Sequence, residues 1–313
     1  MAVVVTTLPL PDEAVELLRG AGEVRGPERW EESLGEAAAL LPLLTVRVDA
    51  ALLERAPGLR VVACPTVGHD HVDLAACRAR GIVVTHTPDV LTEATADLTW
   101  ALILATVRGL PRAERSLRAG EFHGWGFWDH LGGDLYGRTL GIFGMGRIGR
   151  AVARRAAGFG MRVRYTSRTR LPESEERALA AEWSGWDELL AASDVLTLHA
   201  PLTPETRHLL DAAALRRMRP GSWVVNTARG PLVDEAALAE ALREGRLAGA
   251  GLDVYEHEPR VHPALLELPN VVLLPHVGSA THGTRTRMAV LAARNAHAVL
   301  TGAAPLTPVG GSR

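Results

Sequence analysis

The chain contains no lysine: all 34 of its basic residues are arginine. Schiff-base catalysis and the lysine of a Walker phosphate loop are therefore excluded. Glutamine is also absent, and Asn226, Asn270 and Asn295 are the only asparagines, a shortage of heat-labile amides found in thermophiles. Two cysteines, Cys64 and Cys77, supply neither a disulfide framework nor a metal-ligand spacing, and both lie in apolar or helical surroundings as inert core thiols. Neither sign of charge dominates. The formal net charge of -2 gives no basis for a nucleic acid or polyanionic partner. There is no basic-apolar leader and no apolar run of spanning length, so the expectation is a cytoplasmic protein with no membrane partner.

What is present suits an ordinary globular protein, 47% hydrophobic and 22% charged, and 313 residues suffice for two domains. Strand and helix signals alternate along most of the chain. The N-terminal third predicts short strands at 2–6, 40–46, 60–64 and 82–86, with helices at 11–18, 50–55 and 72–79. A long apolar helix is expected over 92–108 with Thr92 as its N-cap, then a second over 111–118. The stretch 120–128 is rich in glycine and aromatic residues and reads as a loop. Further strands are expected at 162–166, 195–198, 223–226, 248–252 and 271–274, separated by helices at 147–158, 186–192, 212–217 and 234–244. The last helix, 281–300, has no following strand, so it is expected to cross back onto the N-terminal unit. The fold class is therefore α/β, with two Rossmann-like doubly wound parallel-sheet domains and an interdomain cleft. Residues 1–98 and 284–313 form a discontinuous substrate domain in this reading, and 99–283 a dinucleotide-binding domain.

The segment Thr139-Leu-Gly-Ile-Phe-Gly-Met-Gly-Arg-Ile-Gly149 is a buried strand entering a glycine turn and a helix. Gly144, Gly146 and Gly149 match the G-x-G-x-x-G fingerprint. The first glycine permits the turn, the second lets a pyrophosphate approach the backbone, and the third lets helix and strand pack closely. The phosphates then rest on the helix N-terminus, at Arg147 and Ile148. In NAD binders a carboxylate about 20 residues further on holds the ribose 2′-hydroxyl. Here the next strand ends Tyr165-Thr-Ser-Arg-Thr-Arg170, without a carboxylate. Arg168, with the hydroxyls of Ser167 and Thr169, suits a 2′-phosphate through charge-assisted bonds worth about 1.5–3 kcal/mol each. The expected cofactor is NADP(H), with NAD(H) as the alternative and Arg168 and Arg170 as a merely solvated turn in that case.

Three more segments end strands, where open α/β sheets bind ligands. Val224-Val-Asn-Thr-Ala-Arg-Gly230 presents Arg229, whose guanidinium suits a carboxylate. Gly251-Leu-Asp-Val-Tyr-Glu-His-Glu-Pro259 presents Asp253, Glu256 and Glu258, any of which can orient a histidine. Val271-Val-Leu-Leu-Pro-His-Val-Gly-Ser-Ala-Thr281 presents His276 before the last helix. A histidine there can donate a proton near neutral pH, and an acidic neighbour favours its charged form.

At these residues the chain resembles the D-isomer-specific 2-hydroxyacid dehydrogenases, and most closely the glyoxylate/hydroxypyruvate reductases among them. Thr66-Val-Gly-His-Asp-His-Val-Asp73, the glycine fingerprint, Asn226-Thr-Ala-Arg-Gly230, Gly251 to Pro259 and Pro275-His-Val-Gly-Ser279 carry the likeness, in order, over nearly the whole chain. The closer likeness rests on Thr87 to Thr92, Tyr165 to Arg168 and Gly278 to His282. The resemblance implies a catalytic set of Arg229, Glu258 and His276, and N–H groups of Val67 and Gly68 on the substrate carboxylate with Ser279 nearby. It implies that Asp253 and the Thr227 carbonyl hold the nicotinamide carboxamide, and that Thr95 and Pro201 lie along the cofactor. Trp125 matches a tryptophan that reaches into the partner subunit's substrate pocket, which implies a homodimer. The implied reaction is NADPH-dependent reduction of a small 2-keto acid, glyoxylate or hydroxypyruvate, with no metal. The near rival is a phosphoglycerate or D-lactate dehydrogenase of the same family. A rival of another class is a non-catalytic dinucleotide-sensing protein, which turnover would exclude.

Overall fold

The structure, a computed structural model, describes residues 1–310. The chain divides into two compact units, Met1–Leu91 with the segment from Ser279 onward, and Thr92–Gly278. The first unit contains β1 (Ala2–Thr6), α1 (Asp12–Arg19), β2 (Gly22–Arg25), β3 (Ala37–Leu41), α2 (Ala50–Glu54), β4 (Val61–Ala63), α3 (Leu74–Ala79) and β5 (Val83–Thr85). The second begins with α4 (Thr92–Val107) and α5 (Leu110–Arg118), then β6 (Thr139–Phe143), α6 (Arg147–Ala156), β7 (Arg162–Thr166), α7 (Glu173–Leu179), β8 (Ala181–Trp183), α8 (Trp186–Ala192) and β9 (Val195–Leu198). It continues through α9 (Ala212–Arg217), β10 (Ser222–Asn226), α10 (Glu235–Arg243), β11 (Leu247–Leu252), α11 (Pro263–Glu267) and β12 (Val271–Leu273). The final helix α12 (His282–Leu300) returns to the first unit and packs on α1, β3 and β4.

Both sheets are parallel throughout. The first unit orders its strands β2-β1-β3-β4-β5 and the second β12-β11-β10-β9-β6-β7-β8. Counted from β6, the second order is that of the doubly wound dinucleotide fold, and it reverses between β6 and β9. Parallel sheets need both faces covered, and each sheet here has two apolar layers. In the first unit Leu52, Leu53 and Cys77 cover one face, while Ala14, Leu18 and the alanines of α12 cover the other. In the second, α4 and α6 cover one face and α8 to α11 the other. Asp49, Asp73, Asp211, Asp234 and Thr281 each cap a helix by accepting a backbone N–H.

Two differences from the expected boundaries have local causes. The third strand ends at Leu41 because Pro42 has no N–H to continue the ladder. The unit boundaries fall at 91/92 and 278/279, earlier than the expected 98/99 and 283/284. The first turns of α4 belong to the dinucleotide unit, since Glu93 and Asp97 pair with Arg154 and Arg155 of α6. One turn later the Trp100 indole N–H donates to the Val152 carbonyl at 3.0 Å, and its ring stacks on Phe159.

Candidate active site

The glycine turn leaves β6 and crosses the reversal point of the sheet. Gly144 has φ +96°, a left-handed conformation that a side chain would strain, and a Cβ on it would lie 2.7 Å from the His199 carbonyl. A Cβ on Gly149 would lie 2.1 Å from the Gly144 carbonyl oxygen, so helix and turn meet backbone to backbone. A Cβ on Gly146 would meet nothing within 4 Å. Gly146 is also the N-cap of α6, and no side chain caps that helix. Uncapped N–H groups opening onto free space at a helix N-terminus fit the pyrophosphate of a dinucleotide.

At the end of β7 the two arginines separate. Arg170 is engaged in a fork onto Glu176 at 2.9 and 2.8 Å, and the Tyr165 hydroxyl donates to the same carboxylate at 2.6 Å. These hydrogen bonds hold the Glu176 carboxyl down to about 2. Arg168 is exposed and has no ion-pair partner among the described residues. Ser167 donates to the Thr169 carbonyl at 2.6 Å, closing the turn that presents Arg168. Sequence reasoning groups Arg168 with Arg170. The Glu176 carboxylate, on the helix α7 that the sequence pattern does not announce, is what distinguishes them.

The ends of β10, β11 and β12 carry Arg229, Glu258 and His276, and the last two meet. His276 Nδ1 lies 2.9 Å from Glu258 Oε2, and the other Glu258 oxygen accepts the Tyr255 N–H at 3.0 Å. Burial pushes the Glu258 carboxyl up, but the hydrogen bond and charge of His276, the Tyr255 N–H and the charge of Arg229 outweigh it, and the net direction is down. The only side-chain hydrogen bond of His276 among the described residues is through Nδ1. Of the three carboxylates on this segment, Glu258 takes the histidine. Glu256 instead pairs with His208 at 2.6 Å and Arg207 at 3.0 Å.

His276 has φ +53°, an uncommon conformation for a non-glycine residue. Asp253 holds it there. The Asp253 carbonyl accepts the His276 N–H at 2.9 Å, and its two carboxylate oxygens accept the N–H groups of Val277 and Gly278 at 2.7 and 2.8 Å. Burial raises the Asp253 carboxyl against the pull of those N–H groups. The residue expected to touch the nicotinamide is thus also the fastener of the histidine loop. Tyr255 joins the two segments, its N–H on Glu258 and its hydroxyl donating to the Leu274 carbonyl at 2.7 Å.

Arg229 is set by Asn226. The Asn226 amide donates to the Arg229 carbonyl at 2.9 Å and its oxygen accepts the Ala228 N–H at 3.0 Å. A Cβ on Gly230 would lie 1.8 Å from the Tyr255 carbonyl carbon, so only glycine lets the two loops meet. Thr95 and Thr227 are buried and joined through Thr99, whose hydroxyl donates to the Thr95 carbonyl at 2.8 Å and lies 2.9 Å from the Thr227 hydroxyl. Pro201 is exposed at the end of β9, and its carbonyl accepts the Thr206 hydroxyl at 2.8 Å. Asn226, Thr99 and Tyr255 escape a reading of the sequence because a single polar residue in an apolar strand or helix carries no pattern.

Val67, Gly68 and Ser279 lie in the first unit, all half-buried. Trp125 is 81% exposed on the expected loop. No residue of α5 is buried; Leu117 on it, and Phe122, Trp128 and Tyr136 later in the chain, are exposed. Among the described residues no cluster of histidine, cysteine or carboxylate can hold a metal ion, and no helix is long and apolar enough to cross a membrane.

A family profile described as the NAD binding domain of D-isomer specific 2-hydroxyacid dehydrogenases matches residues 100–278. A glyoxylate reductase from Thermococcus onnurineus is 47% identical over 98% of this chain and 95% of its own length. The TT0316 protein of Thermus thermophilus has a crystal structure that superposes with a TM-score of 0.91 at 48% identity, over 99% of this chain and all of that one. An NADPH-dependent glyoxylate/hydroxypyruvate reductase from Sinorhizobium meliloti, in complex with NADP and malonate, superposes with a TM-score of 0.88 at 37% identity, over 99% of this chain and 97% of that one. With the doubly wound sheet, the open glycine turn and the histidine-carboxylate pair at its strand ends, these matches establish that the chain belongs to the D-isomer-specific 2-hydroxyacid dehydrogenases, NAD(P)-dependent oxidoreductases.

Proposed function

We propose that the protein reduces a small 2-keto acid, glyoxylate or hydroxypyruvate, to glycolate or D-glycerate, using NADPH in preference to NADH. The observation that carries this reading is the pairing of His276 with Glu258 at 2.9 Å in a unit built to hold a dinucleotide. The bound cofactor supplies the hydride. His276 supplies the proton: with its Nδ1–H on the Glu258 carboxylate, the imidazolium carries on Nε2 the hydrogen that passes to the carbonyl oxygen. Arg229 takes the substrate carboxylate and polarises the carbonyl. The N–H groups of Val67 and Gly68 bind the carboxylate, and Ser279 is a further substrate-binding residue. The Thr227 carbonyl and Asp253 serve the nicotinamide, Thr95 and Pro201 lie along the cofactor, and Gly144, Gly146, Arg147, Ile148 and Gly149 serve the pyrophosphate.

The NADPH preference rests on Arg168, exposed and without an ion-pair partner among the described residues, just after Thr166, which stands where NAD binders carry a carboxylate. The exposed aromatic side chains of Phe122, Trp125, Phe127 and Trp128 support a homodimer, with Trp125 entering the partner's pocket and narrowing it to small acids. Initial rates over a panel of 2-keto acids with NADPH and NADH side by side test the reading. Turnover of glyoxylate or hydroxypyruvate, faster at low NADPH than at low NADH, is expected. Failure to oxidise either cofactor refutes the enzyme, and a preference for NADH refutes the role given to Arg168.

A further inference from the structure

The turn Thr66–Gly68 follows β4 in the first unit. Each of its three carbonyls is held. The Thr66 carbonyl accepts the Thr87 N–H at 2.8 Å, the Val67 carbonyl bonds His86 Nδ1 at 3.0 Å, and the Gly68 carbonyl accepts the Thr66 hydroxyl at 2.7 Å. A carbonyl only accepts, so the His86 proton sits on Nδ1. No acceptor among the described residues lies on the N–H groups of Val67 or Gly68, although both residues are half-buried. Carbonyls fastened away and N–H groups left without acceptors make an anion-binding concavity.

His86 is itself clasped by the C-terminal segment. β5 is an edge strand, and the segment pairs along it: the Val309 N–H donates to the Val84 carbonyl at 2.8 Å, and Thr85 and Pro308 form an antiparallel bridge. Thr307 then brackets His86, its carbonyl accepting the His86 N–H at 3.1 Å and its hydroxyl donating to the His86 carbonyl at 2.5 Å. Asn295, fully buried in α12, fixes Thr307 in turn, with its amide on the Thr307 hydroxyl at 2.8 Å and its oxygen on the Thr307 N–H at 3.0 Å. The His69 ring packs edge-on against His86 at 5.7 Å.

We propose that His86 is a positioning residue for carboxylate binding, and that Asn295 and Thr307 act through it. The relay runs from α12 through the C-terminal segment and the His86 ring to the Val67 carbonyl, and it keeps the N–H groups of Val67 and Gly68 turned toward the substrate. This inference rests on the reading of the protein as a 2-keto acid reductase. A role in folding alone would leave ligand affinity unchanged in a folded variant.

The test compares His86→Leu, His86→Asn and Thr307→Val with wild type. Asparagine places an amide N–H where Nδ1 stood. His86→Leu and Thr307→Val should raise the KM for glyoxylate about tenfold, with the KM for NADPH unchanged, and His86→Asn should recover most of the loss. Oxalate, a dicarboxylate that cannot be reduced, serves as the second probe, followed through the amide resonances of Val67 and Gly68. Its titration midpoint should move up by the same factor. Equal glyoxylate KM and equal oxalate midpoints in folded His86→Leu and wild type overturn the relay. If wild type turns over no 2-keto acid, the functional reading fails by itself, and the oxalate midpoints still decide the relay.

Discussion

Alanine at each glycine of the β6–α6 turn separates folding from cofactor binding. Gly149→Ala puts a methyl 2.1 Å from the Gly144 carbonyl oxygen, backbone against backbone, with no flexible side chain to yield. Overpacking of this kind costs about 3 kcal/mol, the upper end of the usual range. Gly144→Ala adds a left-handed conformation, costing about 1–2 kcal/mol, to a 2.7 Å approach to the backbone of His199. Gly146→Ala meets nothing within 4 Å, and its φ of -76° suits alanine. It loses only the advantage of glycine at an N-cap, about 1 kcal/mol. At roughly 2–4 °C per kcal/mol for a unit of this size, Gly146→Ala should melt about 2–4 °C below wild type and the other two about 6 °C or more below. Affinity should follow the reverse order. The Gly146 methyl occupies the space left for the pyrophosphate, and losing two charge-assisted bonds weakens NADPH by about a hundredfold or more. Thermal melts with fluorescence titration of NADPH measure both. A Gly146→Ala protein that binds NADPH like wild type, or melts as low as Gly149→Ala, would refute the assignment of that open space to the cofactor.

Three further outcomes are expected. Arg168→Ala should raise the KM for NADPH about 10- to 100-fold and leave that for NADH nearly unchanged, since one charge-assisted contact to the 2′-phosphate is worth about 1.5–3 kcal/mol; steady-state kinetics with both cofactors decide it. Glu258→Gln should lower kcat about 10²- to 10⁴-fold with little change in NADPH affinity, and a kcat within a factor of two of wild type would remove Glu258 from the proton transfer. His199, half-buried beside the glycine turn and bonded to Thr197 at 3.0 Å, is pushed down to about 3 by desolvation, from an ordinary 6.5. Above pH 6.5 it is neutral in both states; as pH falls from there toward 3 the unfolded chain takes a proton that the folded chain refuses, so stability is lost by about 1.4 kcal/mol per pH unit. His199→Asn should flatten chemical-denaturation stability over that window, and an unchanged slope would show that His199 titrates normally.

The glycine turn and the strand-end residues are legible in the sequence because they combine a period with a chemistry: apolar runs of strand length, each stopped by a residue that apolar strands do not otherwise carry. The return of α12 follows from a helix without a strand to pair with. β2 and β8 are not legible. Both lie at sheet edges, where half-exposed strands carry Glu23, Arg25 and Glu182 and lose the apolar signal. Among the functional residues, what stays hidden is what acts through another group. Asn226 setting Arg229, Asp253 holding the His276 loop and Glu176 occupying Arg170 are each pairings that hydrophobic periodicity does not encode.

In the proposed reaction His276, paired with Glu258, gives the proton that accompanies hydride transfer. Single-turnover reduction of hydroxypyruvate by His276→Asn, with NADPH already bound, tests it most directly. The expected rate is about 10²- to 10⁴-fold below wild type, with NADPH affinity unchanged and D-glycerate still the product. A rate equal to wild type would contradict it.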